Sequence, residues 1–155
     1  MRNRTLRTDS KPSGSSRTSN GRRLPSAGTN CTSHWSSHAL ESKSFNEPDE
    51  KRRPPKTEVD VVNIGGTTLG RFTFEPGWRW SETVKTVVHT DSCQNNHLGF
   101  CTAGTLTVQL EDGTRTTIHA GDAYAIPPGH DAWVENDETF VGYEIMSAAT
   151  YAKSD

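Results

Sequence analysis

The sequence predicts an all-β barrel or sandwich preceded by a disordered N-terminal tail, and three observations carry that expectation. From Val59 onward, short runs rich in Val, Ile, Thr, Phe and Trp are separated by Gly, Pro and Asp turn signals at regular spacing. Before residue 59 large apolar side chains are few among Ser, Arg, Asn and Pro, and the 30% hydrophobic content of the whole chain lies well below the globular average of about 45–50%. Charge divides the chain at the same place. Residues 1–58 hold 12 Lys and Arg against 6 Asp and Glu, while residues 59–155 hold 5 against 13. The expected organisation is a basic Ser/Arg/Pro-rich tail, 1–58, and a β-domain, 59–155.

Taken in order, the tail carries Arg2, Arg4, Arg7, Lys11, Arg17, Arg22 and Arg23 with only Asp9 as an acid before residue 41. That composition fits plain disorder, a start placed too far upstream, or an organellar transit segment. No long apolar run follows the basic start, so neither a secretory signal nor a membrane helix is expected. Three cysteines give no disulfide framework, and a reducing compartment, the cytoplasm, is the default. The acidic domain repels phosphate backbones, so no nucleic-acid partner is expected for it.

In the domain, VDVVNI and TTLGRFTFE read as two strands around the Gly65-Gly66 turn, with Phe72 and Phe74 sharing a face. Pro76-Gly77 breaks the second. WRWSETVKTVVHT follows, rich in stiff, branched Thr and Val, and is read as strand rather than helix, with Trp78 and Trp80 on one parity and able to cover a barrel end. TLTVQLEDGTRTTIHAGD is the clearest hairpin: Leu106, Val108 and Leu110 alternate with Thr and Gln, and Asp112-Gly113 supplies a tight two-residue turn. TFVGYEIM ends the pattern, with Val141, Tyr143 and Ile145 on one side.

Between these lies GDAYAIPPGHDAWVEN, residues 121–136: a strand, a rigid Pro127-Pro128-Gly129 corner and a returning strand, which places side chains at a barrel mouth. Its spacing resembles the second signature of the cupin family, with Gly121, Pro127, Gly129 and Asn136 in register and Ala132 where that signature has His. The family's first signature, counted back from Gly104, puts His97 at its Glu position. Its two His positions fall on Asp91 and Cys93, or with the longer spacer on Thr90 and Ser92. The resemblance covers roughly Gly70 to Ile145. It implies a cupin-type jelly-roll barrel and a homodimer, while the usual three-His, one-Glu ligand set is not matched residue for residue.

A substituted set is nevertheless in view. If DSCQNNHLGFCTAG is one strand, Cys93 and His97 look the same way, and His130 shares its side with Ala132. Cys93, His97 and His130 are therefore the candidate metal ligands, a borderline-soft set suited to one divalent transition metal, Fe, Zn, Ni or Cu. The competing expectation is structural: a buried Cys is usually a small hydrophobe, and an inward His is often bonded to a backbone carbonyl. That reading is favoured for Cys101. His89 and His119 read as surface positions, and Glu82, Glu135 and Glu144 have no spacing that brings them to the site.

Trp78, Trp80, Tyr124 and His97 are the candidate small-molecule contacts, since ligand cavities are lined by aromatics with few polar groups. Trp133 has the opposite parity and is expected to point out of the barrel. The leading function is a small cupin that binds a small ligand or a divalent transition metal, with turnover not established. The alternative is a metal-dependent enzyme, a dioxygenase or isomerase, using the Cys/His set. A third reading is an interaction module whose barrel is filled by side chains. No GxGxxG, Walker, GxSxG or HExxH pattern supports nucleotide, Ser-hydrolase or metalloprotease chemistry.

Overall fold

A computed structural model describes residues 40–152. Nine strands form two antiparallel sheets: β1 (Glu50–Arg52), β2 (Thr57–Ile64), β3 (Thr67–Phe74), β4 (His97–Ala103), β5 (Thr105–Leu110), β6 (Arg115–His119), β7 (Ala123–Ile126), β8 (His130–Trp133) and β9 (Phe140–Ile145). The larger sheet runs β1-β2-β3-β9-β4-β7 and the smaller β6-β5-β8. Inward residues of both, among them Val59, Phe72, Leu106, Val108, Ile118 and Phe140, make one core. This is the expected all-β jelly roll. None of the helices described is long and apolar enough to cross a membrane.

The folded part begins upstream of the expected boundary at Val59. Glu50 and Arg52 pair with Val61 and Val59, and the Asp49 amide donates to the Val61 carbonyl at 2.8 Å. The EKR composition hides this strand because it is an edge, where charge is tolerated and useful. Arg52 also donates to the carbonyls of Ala148 and Tyr151 at 2.8 and 2.6 Å, tying that edge to the far end of the chain. The remaining tail, with Cys31, His34 and His38, lies outside the described residues.

Residues 80–88 are helical, not extended: α1 (Trp80–Thr83) and α2 (Lys85–Val88) follow one another directly. The branched residues are overruled by tertiary contacts. Trp80 and Val84 recur at the helical spacing of four and are buried. Asp131, fifty residues away, accepts from the Ser81 amide at 3.1 Å and the Ser81 hydroxyl at 2.9 Å. The Thr83 hydroxyl donates to the Arg79 carbonyl at 2.7 Å.

The β5–β6 hairpin is present, with Leu106 opposite Ile118 and Gln109 opposite Arg115. Its turn differs from the two-residue expectation. The Leu110 amide donates to the Thr114 carbonyl, leaving three loop residues, and only Gly113 has a positive φ, 87°. On β9 the buried residues are Phe140, Gly142 and Glu144, so the side shared by Val141, Tyr143 and Ile145 is the outer one.

Candidate metal centre

Three elements meet at one end of the barrel. β4 alternates His97, Gly99 and Cys101 inward against exposed Leu98 and Phe100. β7 leads into the Pro127-Pro128-Gly129 corner, where Gly129 takes a φ of 86° that favours glycine, and β8 leaves it with His130 and Ala132 facing in. The third element is the segment before β4. It is not part of that strand, which starts only at His97; Cys93 instead forms an isolated bridge with His130. The Cys93 amide donates to the His130 carbonyl and the Gly129 amide to the Cys93 carbonyl, each at 2.8 Å. Cys93 thus reaches the expected place by a different route, pinned to the corner and not carried along β4.

The result is a buried cluster in which one donor atom each of Cys93, His97 and His130 lies within 4.8 Å of the others. Both histidines are oriented from behind. The His130 Nδ1–H donates to the Pro127 carbonyl at 2.7 Å, and His97 Nδ1 lies 2.7 Å from Glu144 Oε2. His97 Nε2 is 3.5 Å from Cys93 Sγ. A tetrahedral ion about 2.3 Å from sulfur and about 2.1 Å from nitrogen would separate the two by about 3.6 Å.

Glu144 is the residue that sequence reasoning set aside. Its carboxylate is buried, accepts the Tyr124 hydroxyl at 2.8 Å on Oε1, and accepts the Ser147 hydroxyl on Oε2 beside His97. Only a signal in the strand parity of β9, Glu144 in step with Phe140 and Gly142, could have found it.

Electrostatics follow from this arrangement. Burial lowers the affinity of His97 for a proton, but the Glu144 carboxylate and the Cys93 sulfur outweigh it and raise its pKa to about 10. Burial pushes the Cys93 thiol up, yet hydrogen bonds with His130 and His97 prevail and bring it to about 6. Burial and the adjacent carboxylate push Tyr124 well above its ordinary value. Cys101 behaves as the structural reading expects: it is buried, its thiol donates to the Ala103 carbonyl at 3.3 Å, and burial raises its pKa.

The chamber in front of the histidines is small, about 20 Å³. That is room for one water-sized group. Of the candidate ligand contacts, Trp78, Trp80 and His97 line it, whereas Tyr124 does not and serves Glu144 instead. Trp78 stacks on Phe74 with ring centres 3.8 Å apart, so the tryptophans fill most of the barrel end. Tyr151, which no spacing singled out, closes the same chamber. The Trp78 indole N–H and the Tyr151 hydroxyl are buried without a protein hydrogen-bond partner. Trp133 lies outside, between the Arg79 and Arg115 guanidinium groups at 4.5 and 5.0 Å.

The cupin domain model matches residues 70–144, from within β3 to within β9, a stretch that contains Cys93, His97 and His130. The matched stretch, residues 70–144, is a cupin domain. No curated protein matches the chain by sequence. Solved structures are similar to it at low identity. A protein of unknown function from Rhizobium leguminosarum is 18% identical with a TM-score of 0.51, over 69% of this chain and 96% of that one. The polyketide cyclase RemF from Streptomyces resistomycificus is 14% identical with a TM-score of 0.52, over 71% of this chain and 80% of that one. A cupin 2 conserved barrel domain protein from Salinispora arenicola is 18% identical with a TM-score of 0.49, over 69% of this chain and 87% of that one. In this cupin the last ligand position of the second signature is Ala132, buried and facing inward, and His130 two residues earlier stands on the same side.

Proposed function

We propose that this cupin holds one divalent transition metal on Cys93, His97 and His130 and presents an open position of that metal to a small ligand. The observation that carries the reading is the support behind the donors. Each histidine has its Nδ1 taken, by Glu144 and by the Pro127 carbonyl, which leaves Nε2 as the free nitrogen beside Cys93 Sγ. A histidine that ligates an ion almost always has its other nitrogen backed by a carboxylate or a carbonyl. A neutral core histidine would need no such convergence with a thiol. The donor types suit Zn, Fe, Ni or Cu, and a bound ion would supply Lewis acidity at the position left open.

Binding leads over catalysis because, among the described residues, no free carboxylate faces the centre. Glu144, the one carboxylate there, already accepts from His97, Tyr124 and Ser147. The enzyme reading, a dioxygenase or isomerase, is favoured by one feature, the unpartnered Tyr151 hydroxyl and Trp78 N–H at a chamber that takes one water-sized group. The homodimer implied by the family is supported by Leu98, Phe100, Ile145 and Met146, which are large, apolar and exposed around β4 and β9.

Cobalt substitution tests the centre. The full chain loaded with Co(II) should show a thiolate-to-cobalt charge-transfer band in the near ultraviolet that disappears in Cys93→Ala and persists in Cys101→Ala. A band that survives Cys93→Ala would refute the assignment.

A further inference from the structure

A second cavity, of about 190 Å³, lies between the helical turns and the end of the described chain. One helical face supplies its apolar wall, Trp80, Val84 and Val88, four residues apart. Its polar lining includes the Gln94 and Asn95 amides, the latter accepting from the Thr150 hydroxyl at 3.2 Å, and no Asp, Glu, Lys or Arg side chain. Cys93 lines it as well, and Tyr151, with its buried unpartnered hydroxyl, belongs to both this cavity and the barrel chamber. An apolar cavity of about 150 Å³ is large enough to take benzene. With Cys93 Sγ already engaged by His97 Nε2 at 3.5 Å, a charged guest would leave water without gaining a free counter-ion.

We propose that this cavity binds an uncharged molecule of about the size of benzene that carries one hydroxyl or carbonyl group. Its apolar body lies on Val84, Val88 and Trp80, and its polar end meets Cys93 and the Tyr151 hydroxyl. That such a molecule is the ligand presented to the metal rests on the reading above; its binding does not.

The test is methyl NMR of the full chain, zinc-loaded and chelator-treated, titrated with benzyl alcohol, benzoate and benzylammonium. Benzyl alcohol should give saturable shifts of the Val84 and Val88 methyls in both forms, with the two charged probes at least tenfold weaker. Val88→Trp should abolish the shifts while zinc stoichiometry stays at the wild-type value, and Gln94→Ala, which leaves the apolar wall alone, should weaken binding threefold or more. Shifts that do not saturate, equal affinity for all three probes, or binding unchanged in both variants would overturn the proposal. Absence of zinc binding with benzyl alcohol still bound would remove the metal and leave the pocket.

Discussion

Glu144 Oε2 lies 2.7 Å from His97 Nδ1, and this contact, buried on the inner face of β9, fixes which nitrogen of His97 faces Cys93. The same carboxylate accepts from Tyr124 and Ser147, so its own position is held by three donors. Glu144→Gln keeps the volume and loses the charge. Zinc affinity, measured by competition with a chromophoric chelator, should fall about 10–100-fold, the usual effect of removing a carboxylate behind a ligating histidine. Unchanged affinity would mean that the contact is only structural.

Proton release on metal uptake should report the Cys93–His97 pair. Without metal, the His97 imidazolium donates to the Cys93 thiolate, with pKa values of about 10 and about 6. A metal needs the thiolate and neutral Nε2. Between pH 7 and 9 the thiol has already ionised and His97 has not, so the pair releases about one proton per ion. Below pH 6 the thiol is protonated too and release from the pair rises toward two; above pH 10 it falls toward zero. Calorimetry in buffers of different ionisation enthalpy measures this directly.

Gly99 faces the β4–β9 junction, where an added Cβ would sit 2.2 Å from the Tyr143 carbonyl oxygen and 2.8 Å from Glu144 Cγ. The obstacle is backbone, so the strands must shift. Gly99→Ala should cost about 1–3 kcal/mol in urea denaturation, and zinc affinity should fall with it because Glu144 moves.

Phe100 stacks on Tyr143 with ring centres 5.5 Å apart on the outer face of β4 and β9, half-exposed beside Leu98 and Ile145. If a second copy covers this face, Phe100→Glu should give a monomer by light scattering while the wild type is a dimer. The substitution touches no inward residue, so metal content should not change.

Much of this centre was legible in the chain. The Gly121–Asn136 spacing gave the corner, and alternation along HLGFCTA and HDAWVEN put His97 and His130 on inner faces. Cys93 lies beside His97 for a reason other than strand parity, since the backbone bridge to His130 places it. What escaped were effects that depend on distant partners. Asp131 holds α1 from fifty residues away, Arg52 anchors an edge strand through carbonyls near the chain end, and Glu144 is tolerated inside only because His97, Tyr124 and Ser147 surround it. Ordinary propensity places Thr and Val in strands and Glu outside, and only the β9 parity of Glu144 and the four-residue spacing of Trp80 and Val84 speak against it.

The central claim is that Cys93, His97 and His130 jointly hold one ion. Elemental analysis of the purified full chain, after exposure to zinc, iron, nickel and copper and removal of excess, tests it against Cys93→Ala, His97→Ala and His130→Ala. The wild type and Cys101→Ala should carry near one metal per chain, and each of the three ligand variants should lose it. A wild type that retains none of the four metals, or variants that retain the wild-type content, would contradict it.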